Sequence, residues 1–360
     1  MNKKFLIIFL TAFLFPDNEW QFQADGELLE YQENDITINK LTENVQVFND
    51  SLYLKTDEAY NYKEIDKLHL YGNTVMISNA DTLLCDSMIY WMDKDSLFAY
   101  GNVILKQIDR KLNAQKLNFW QSNGYRKSSF TANGNVSIIN LDRKIFANDI
   151  IYDDINQKMM LIQNAKVLSN NREVFGDSID MQFQDSLISY IHISGNATAH
   201  NTSYAKIKKD SDLEKKFIDI MLGNNIDIAF ENDKIKTIIL NRMASTMYHV
   251  IDSTVLIGVN SVNGDLIDLG FENDELYTIN VQGDARGSFI PEAGNSKIDS
   301  TITYKSEEID YFIDTQESYL NDSGEIKYQN MILESNYIHV DWGRNILNAV
   351  KKSNKLPKVI

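Results

Sequence analysis

The residues of this chain that could do chemistry are five histidines, one cysteine and many carboxylates. His69, His192, His200, His249 and His339 have no metal-ligand spacing, and only His192 and His200 lie near one another. They read as solvent-exposed or strand histidines. Ser87 and Ser178 sit in no Gly-x-Ser-x-Gly turn of the kind that presents a nucleophile. A polysaccharide lyase on a parallel β-helix needs aspartates clustered with Arg or Lys on one face, whereas the basic residues here are scattered. Gly-x-Asp calcium repeats and glycine-rich phosphate loops are missing from the sequence. The expectation is a protein with no catalytic residue, no metal site and no cofactor. Cys85 is the single cysteine, so no internal disulfide can form, and it reads as a small buried residue.

What remains is apolar contact, and its pattern is regular. A unit recurs from about residue 24 to the end, shown most clearly by 98–120, FAYGNVILKQIDRKLNAQKLNFW. Each copy has a corner, typically Gly-Asn followed by alternating apolar residues, and a small residue followed by a polar one and a spaced apolar pair. Corners fall at Glu43, Gly72, Gly101, Gly134, Gln163, Gly195, Asn241, Gly283 and Asp322. Small residues fall at Ala24, Thr56, Cys85, Ala114, Ala147, Gly176, Gly223, Gly264, Ser306 and Ser335. The step from corner to next small residue is 13 in six copies, and lengthens to 28, 23 and 23 after Gly195, Asn241 and Gly283. A fixed hairpin-sized arm with occasional insertions is the variation expected of stacked strand pairs.

Period-2 geometry puts the apolar pairs of each copy on one face. They are Val45/Val47, Thr74/Met76, Val103/Leu105, Val136/Ile138 and Ala165/Val167 after the corners. After the small residues come Met88/Tyr90, Leu117/Phe119, Ile150/Tyr152, Ile179/Met181, Ile226/Ile228 and Ile338/Val340. The two sets predict two facing antiparallel sheets with their apolar sides inward. Corner glycines Gly72, Gly101, Gly134, Gly195 and Gly283 suit positive φ where the chain turns between sheets. The polar residue after each small one (Asp86, Asn148, Asp177, Asp265, Asn336) has inward parity; either a bulge aims it outward, or these residues form a polar row at a groove mouth. Turn clusters are expected at Asp93-Lys94-Asp95 and Asn123-Gly124. The segment Ser211–Leu222 fits either one helix, with Ser211 as cap and Glu214 three residues on, or another strand pair. Phe289–Gly294 reads as a loop.

The chain has 360 residues, a net charge of −16, 43% hydrophobic residues, 18 Tyr, 17 Phe and 3 Pro. That is the composition of an ordered β-rich protein. The charge argues against nucleic acid as a partner, since the only basic concentration is the short tail Lys351, Lys352, Lys355 and Lys358. Lys3-Lys4 before the apolar run Phe5–Phe15 read as an export signal, too short for a stable membrane span. No clean small-x-small pair precedes Pro16, so an uncleaved anchor stays open, and no lipobox cysteine follows.

The corner Gly134-Asn135-Val136 with Ala147-Asn148-Asp149-Ile150-Ile151-Tyr152 resembles the OstA-like (organic-solvent-tolerance) family, which builds the periplasmic parts of the lipopolysaccharide transport bridge. Leu84–Trp91 and Ile257-Gly258-Val259-Asn260 are similar to the variant in Bacteroidetes-type relatives, and 306–342 is similar to the soluble N-terminal part of the outer-membrane assembly protein. The resemblance covers about 24–345. Glu43, Gln163, Asn241 and Asp322 depart from the corner glycine, and the insertion at 201–222 is long. The resemblance implies an all-β, repetitive, open twisted β-jellyroll whose interior carries lipid acyl chains.

On that reading the lipid-groove candidates are Val45, Val47, Met76, Met88, Tyr90, Val103, Leu105, Leu117, Phe119, Val136, Ile138, Ile150, Tyr152, Val167, Ile179 and Met181. It also implies a periplasmic, non-enzymatic bridge module, and leaves an association with the outer membrane open. Its partners are then lipopolysaccharide, through the acyl chains, and other OstA-like jellyrolls end to end, the outer-membrane assembly protein included. The alternative is a structural or interaction β-solenoid without lipid cargo, with the inward residues forming an ordinary dry core. The expected organisation is 1–20 signal or anchor and linker, 21–200 first repeats, 201–292 variant repeats with an insertion, 293–345 further repeats, and 346–360 tail.

Overall fold

A computed structural model describes residues 20–94, 96–121, 128–185, 187–208, 213–232, 234–273, 275–294, 298–344, 346–350 and 356–360. The N-terminal apolar run, Asp95, the Asn123-Gly124 turn, Ser211 and Lys351, Lys352 and Lys355 lie outside the described residues. Two compact units are present: the described residues of Met1–Ser169 with Asp180–Ser186, and those of Asn170–Ile179 with Leu187–Ile360. The expected boundaries at 200/201 and 292/293 both fall within the second unit.

The first unit contains β1 (Gln21–Gln23), β2 (Leu28–Glu33), β3 (Ile36–Phe48), β4 (Leu52–Tyr62), β5 (Lys67–Ser78), β6 (Asp81–Trp91), β7 (Ser96–Lys106), β8 (Arg110–Gln121), β9 (Ser128–Asn140), β10 (Arg143–Asp153) and β11 (Lys158–Ser169). A single 3-10 turn, Lys63–Ile65, interrupts them. From β3 to β11 each strand pairs antiparallel with the next in sequence. Strand β12 (Arg172–Gln184) contributes residues to both units. The second unit continues with β13 (Leu187–Lys206), β14 (Glu214–Glu231), β15 (Lys234–Asp252), β16 (Val255–Glu272), β17 (Glu275–Pro291), β18 (Ile302–Phe312), β19 (Glu317–Tyr328), β20 (Met331–Asp341), β21 (Ile346–Val350) and β22 (Lys358–Val359).

The protein is all-β, and its two layers arise differently from the sequence expectation. Separate families of strands do not build separate sheets. Instead each long strand crosses a corner part-way along, so its two halves lie in the two layers. The break is a bulge. Tyr100 faces Lys116 and Val103 faces Ala114, so Gly101 and Asn102 together oppose Gln115. Both corner residues take left-handed φ, 73° and 47°. The same two-residue left-handed step recurs at Gly72-Asn73, Gly134-Asn135, Gly195-Asn196 and Gly283-Asp284, and without glycine at Glu43-Asn44, Gln163-Asn164 and Asp322-Ser323. At the seventh corner it falls on Arg242-Met243, one residue later than the expected Asn241. Two consecutive left-handed residues turn the strand sharply while the ladder resumes on either side.

The bulge also settles the polar residues of inward parity. Asp86 is exposed, and Asn102 Nδ2 donates to its Oδ2 at 3.0 Å. Asn73 donates to Asp57 at 2.8 Å and Asn44 to Asp25 at 2.9 Å in the same way. Polar contacts thus run along the outside of the bend, linking these corners to the segment before each. Of the small residues, Thr56, Cys85, Ala114, Ala147, Ser306 and Ser335 are buried on the inside of the bend. Where that residue bears a hydroxyl, it caps carbonyls at the bulge: Thr56 Oγ1 donates to Tyr71 O at 2.8 Å, Ser306 Oγ to Asn321 O at 2.5 Å.

The long copies of the second unit take up their extra residues as longer strands. β13 and β14 remain paired from Tyr190↔Ala229 out to Lys206↔Glu214. Of the Ser211–Leu222 alternatives, the strand pair forms, and Glu214–Leu222 is strand. Cross-strand pairing along β13 outweighs a weak local helix preference. Phe289, Ile290 and Pro291, expected in a loop, extend β17, with Phe289 opposite Asn260. Lys206 pairs parallel with Val255, and its N–H donates to Thr254 O at 2.8 Å. That bridge joins the tip of the β13–β14 hairpin to the start of β16.

Candidate functional site

Register carries the inward apolar residues from strand to strand in unbroken columns. In one half of the first unit the column reads Phe22, Val47, Leu54, Met76, Leu83, Leu105, Leu112, Ile138, Ile145, Val167. In the other half it reads Leu28, Leu41, Ala59, Leu70, Met88, Ala99, Leu117, Ala132, Ile150, Leu161. A second column beside that one contains Leu68, Tyr90, Leu97, Phe119, Phe130, Tyr152 and Met159. The second unit repeats the device through Ile193, Ile226, Leu240, Ile267, Val281, Ile309, Leu320 and Ile338.

Fifteen of the sixteen groove candidates are buried: Val45, Val47, Met76, Met88, Tyr90, Val103, Leu105, Leu117, Phe119, Val136, Ile138, Ile150, Tyr152, Ile179 and Met181. Val167 is the exception. It is half-buried, because it stands at the end of its column in the first unit, near the tip of β11. Most of the others are 1% exposed or less, so side chains fill the interior. Phe130 and Tyr152 pack with ring centroids 5.6 Å apart. Trp20, on the inward parity of β1, meets Tyr90 edge-on at 6.0 Å.

Polar groups enter this interior at few places. Tyr152 OH donates to Asp154 Oδ1 at 2.9 Å, and burial pushes the phenol upward. Burial likewise pushes the Cys85 thiol up to about 12, which makes it a poor nucleophile. In the second unit Tyr304 OH donates to Asn260 Oδ1 at 2.9 Å, while Asn260 Nδ2 donates to Tyr248 OH at 2.6 Å. Burial raises both phenols. Asn39 and Asn61 face each other on β3 and β4, and each has a buried side-chain carbonyl oxygen with no hydrogen-bond partner. Sequence reasoning passed over both. Inward parity two residues from Leu41 and from Ala59 was the signal that could have found them.

The histidines lie on strands. His192 Nδ1 is 2.6 Å from Asp227 Oδ1, which also accepts from Tyr190 OH. His249 Nδ1 is 2.9 Å from Asp219, and His339 Nε2 3.3 Å from Glu317. Among the described residues no group of three His, Cys, Asp or Glu side chains could hold a metal ion. No described helix is long and apolar enough to cross a membrane.

The stretch from the Cys85-Asp86 step through the Gly101, Gly134 and Gln163 corners compares with known proteins. Residues 85–186 match the family model of the LptA/(LptD N-terminal domain) LPS transport protein. Residues 85–186 hold the bulged corners and inward columns of β7 to β11. Among solved structures, a match is LptH, the LptA homologous periplasmic component of the conserved lipopolysaccharide transport device from Pseudomonas aeruginosa. Identity is 12%, over 61% of this chain and 92% of that one, with a TM-score of 0.16. No curated protein matches the sequence.

Proposed function

We propose that the chain is a periplasmic, non-enzymatic bridge module of lipopolysaccharide transport, which shields lipid acyl chains between the halves of its bent strands. The observation that carries the proposal is the continuity of the inward columns through an LptA/LptD N-terminal-type segment. Each CH₂ moved from water to an apolar surface contributes about 0.8 kcal/mol. A path whose apolar step recurs at every strand can therefore hold a chain at successive positions with similar energy. Since side chains fill the interior, a chain enters only as the two halves part at their turn-bearing ends. Side-chain contacts are then exchanged for acyl contacts, and apolar surface stays covered. End-to-end pairing with other jellyrolls of this kind, at β2 and at β20–β22, would extend the path.

The test is photo-crosslinking in membrane-containing preparations. Probes at Val103, Val136 and Ile150 should capture lipid, while probes at Asn118 and Ser137, on the outer face, should not. Equal capture from both faces, or none from the inner three, rejects the reading. The filled interior favours the second reading, a structural β-solenoid without cargo, and that negative result would leave it standing.

A further inference from the structure

One outer face of the second unit is apolar. Along the β13–β14 hairpin the ladder sets Thr202 opposite Ile218, His200 opposite Ile220 and Thr198 opposite Leu222, on the side away from the buried Ala197, Ala199 and Ala205. Tyr204 is 54% exposed, Ile218 40% and Leu222 42%. Leu222 faces Ser245 on β15, and two residues before Ser245 stands the corner residue Met243, which is 88% exposed. The other described corners hold Gly-Asn, Gly-Asp, Glu-Asn, Gln-Asn or Asp-Ser in their left-handed step. Here alone the step is a cation and a large apolar residue, Arg242 and Met243, at φ of 59° and 55°. Arg and Met take that conformation at greater cost than Gly and Asn, so backbone preference does not account for the pair.

The same hairpin departs from the charge of the protein. Residues 201–222 carry five lysines against Asp210, Asp212, Glu214 and Asp219, a net charge of +1 in a chain of −16. Of those carboxylates Asp219 is engaged by His249, whose backbone N–H donates to it at 2.9 Å. Lys208, Lys215, Lys216 and Arg242 are exposed and enter no ion pair among the described residues. Unpaired cations beside exposed alkyl and aromatic groups suit a surface that is anionic and apolar at once. The edge of a bilayer is such a surface. Lysine stems lie along its apolar boundary with their ammonium groups at the phosphates, and a tyrosine such as Tyr204 sits there with ring inward and hydroxyl outward. We propose that the outer face of the β13–β14 hairpin, together with the Arg242-Met243 corner, docks on the surface of a bilayer containing anionic lipid. All of these groups are solvent-exposed, so the contact does not depend on whether acyl chains are shielded in the interior.

The experiment uses the full chain, whose one cysteine, Cys85, is buried. A nitrobenzoxadiazole label is attached at Ile218→Cys and, in a second variant, at Asn118→Cys on the outer face of the first unit. Vesicles of equimolar phosphatidylcholine and phosphatidylglycerol should shift the emission at 218 to the blue and raise it several-fold. Vesicles of phosphatidylcholine alone should do so far more weakly, and the label at 118 should respond to neither. Lys215→Gln and Lys216→Gln should each weaken the partitioning read at 218 about fivefold. Met243→Asn should weaken it too, yet leave the urea midpoint unchanged or higher, because Asn tolerates the left-handed step; a merely structural Met243 would not give that split. The apolar run Phe5–Phe15 is common to all these variants, so it does not cause differences between them. A label at 218 that stays silent with the anionic vesicles overturns the proposal. So does an equal response at 118, or partitioning unchanged by both lysine substitutions. A response at 218 that grows with protein concentration in the absence of vesicles also overturns it, and makes the strip a contact between copies. If 218 responds as expected but probes at Val103 and Ile150 capture no lipid, the shielding reading fails and the docking face stands; the reverse result removes the docking face alone.

Discussion

At the scale of single residues, the corner is the most demanding position. Gly101 has φ of 73°, and a Cβ there would collide with the Asp86 carboxylate. Gly101→Val should therefore lose about 1–3 kcal/mol in urea unfolding. Gln163 holds a φ of 60° without being glycine. Gln163→Gly should raise stability by about 0.5 kcal/mol, because it relieves a left-handed side-chain penalty. An identical response at the two positions would show that the corners are not equivalent steps of one device. His69 supplies a pH dependence. Burial, and secondarily Lys67, lower its pKa to about 4. The unfolded chain, with a histidine near 6.5, then binds the proton first as pH falls. Stability should be complete above about pH 6.5 and decline by about 1–3 kcal/mol down to pH 4. His69→Gln should flatten that part of the curve, which urea midpoints between pH 4 and pH 7 would measure.

At the scale of elements, each strand is stabilised by alternation and by neighbours on both sides. Leu117 is fully buried, between Ala99 and Ala132 in its column. Asn118, the next residue, faces outward. Leu117→Ala should cost about 2–5 kcal/mol, whereas Asn118→Ala should stay within about 0.5 kcal/mol. Equal losses would mean that the two faces of β8 are equally packed. The β13–β14 hairpin shows what local sequence leaves open. Its residues 213–222, LEKKFIDIML, suit a helical period as well as an alternating one, and the hydrogen-bonding edge of β13 decides between them.

At the scale of the molecule, the ends matter most. β2 is exposed along its whole length, with Leu28, Leu29 and Tyr31 all open to solvent. At the other terminus Ile346, Leu347, Val350 and Val359 are exposed. Unpaired edges rich in apolar side chains recruit further strands. Leu29→Lys and Val350→Lys should each weaken end-to-end association several-fold in sedimentation experiments on the full chain, without changing the unfolding midpoint. Association unchanged by both would place the contact elsewhere. The net charge of −16 disfavours broad side-to-side aggregation, so the end-to-end pairing proposed above would run through these strands.

By itself the sequence determined that the protein is β, that it repeats, and which residues face inward. Those properties follow from a strict period of two and from corners of Gly and Asn, which local sterics dictate. Val103, Leu117 and Ile150 are buried as their spacing requires. Tertiary structure decided how the layers arise. Nothing local says that one strand belongs to both layers, because the bend appears only when two left-handed residues oppose a single residue on the neighbouring strand. Asp86 has inward parity in sequence and an outward place in space for that reason. The fate of the insertion at 201–222, the half-buried position of Val167 and the filled interior were also tertiary outcomes, since each depends on which strand lies alongside and how closely the halves approach. The unpaired oxygens of Asn39 and Asn61 belong to the same class. A hydrogen bond that is not made becomes visible only when every neighbour that could have made it is in place.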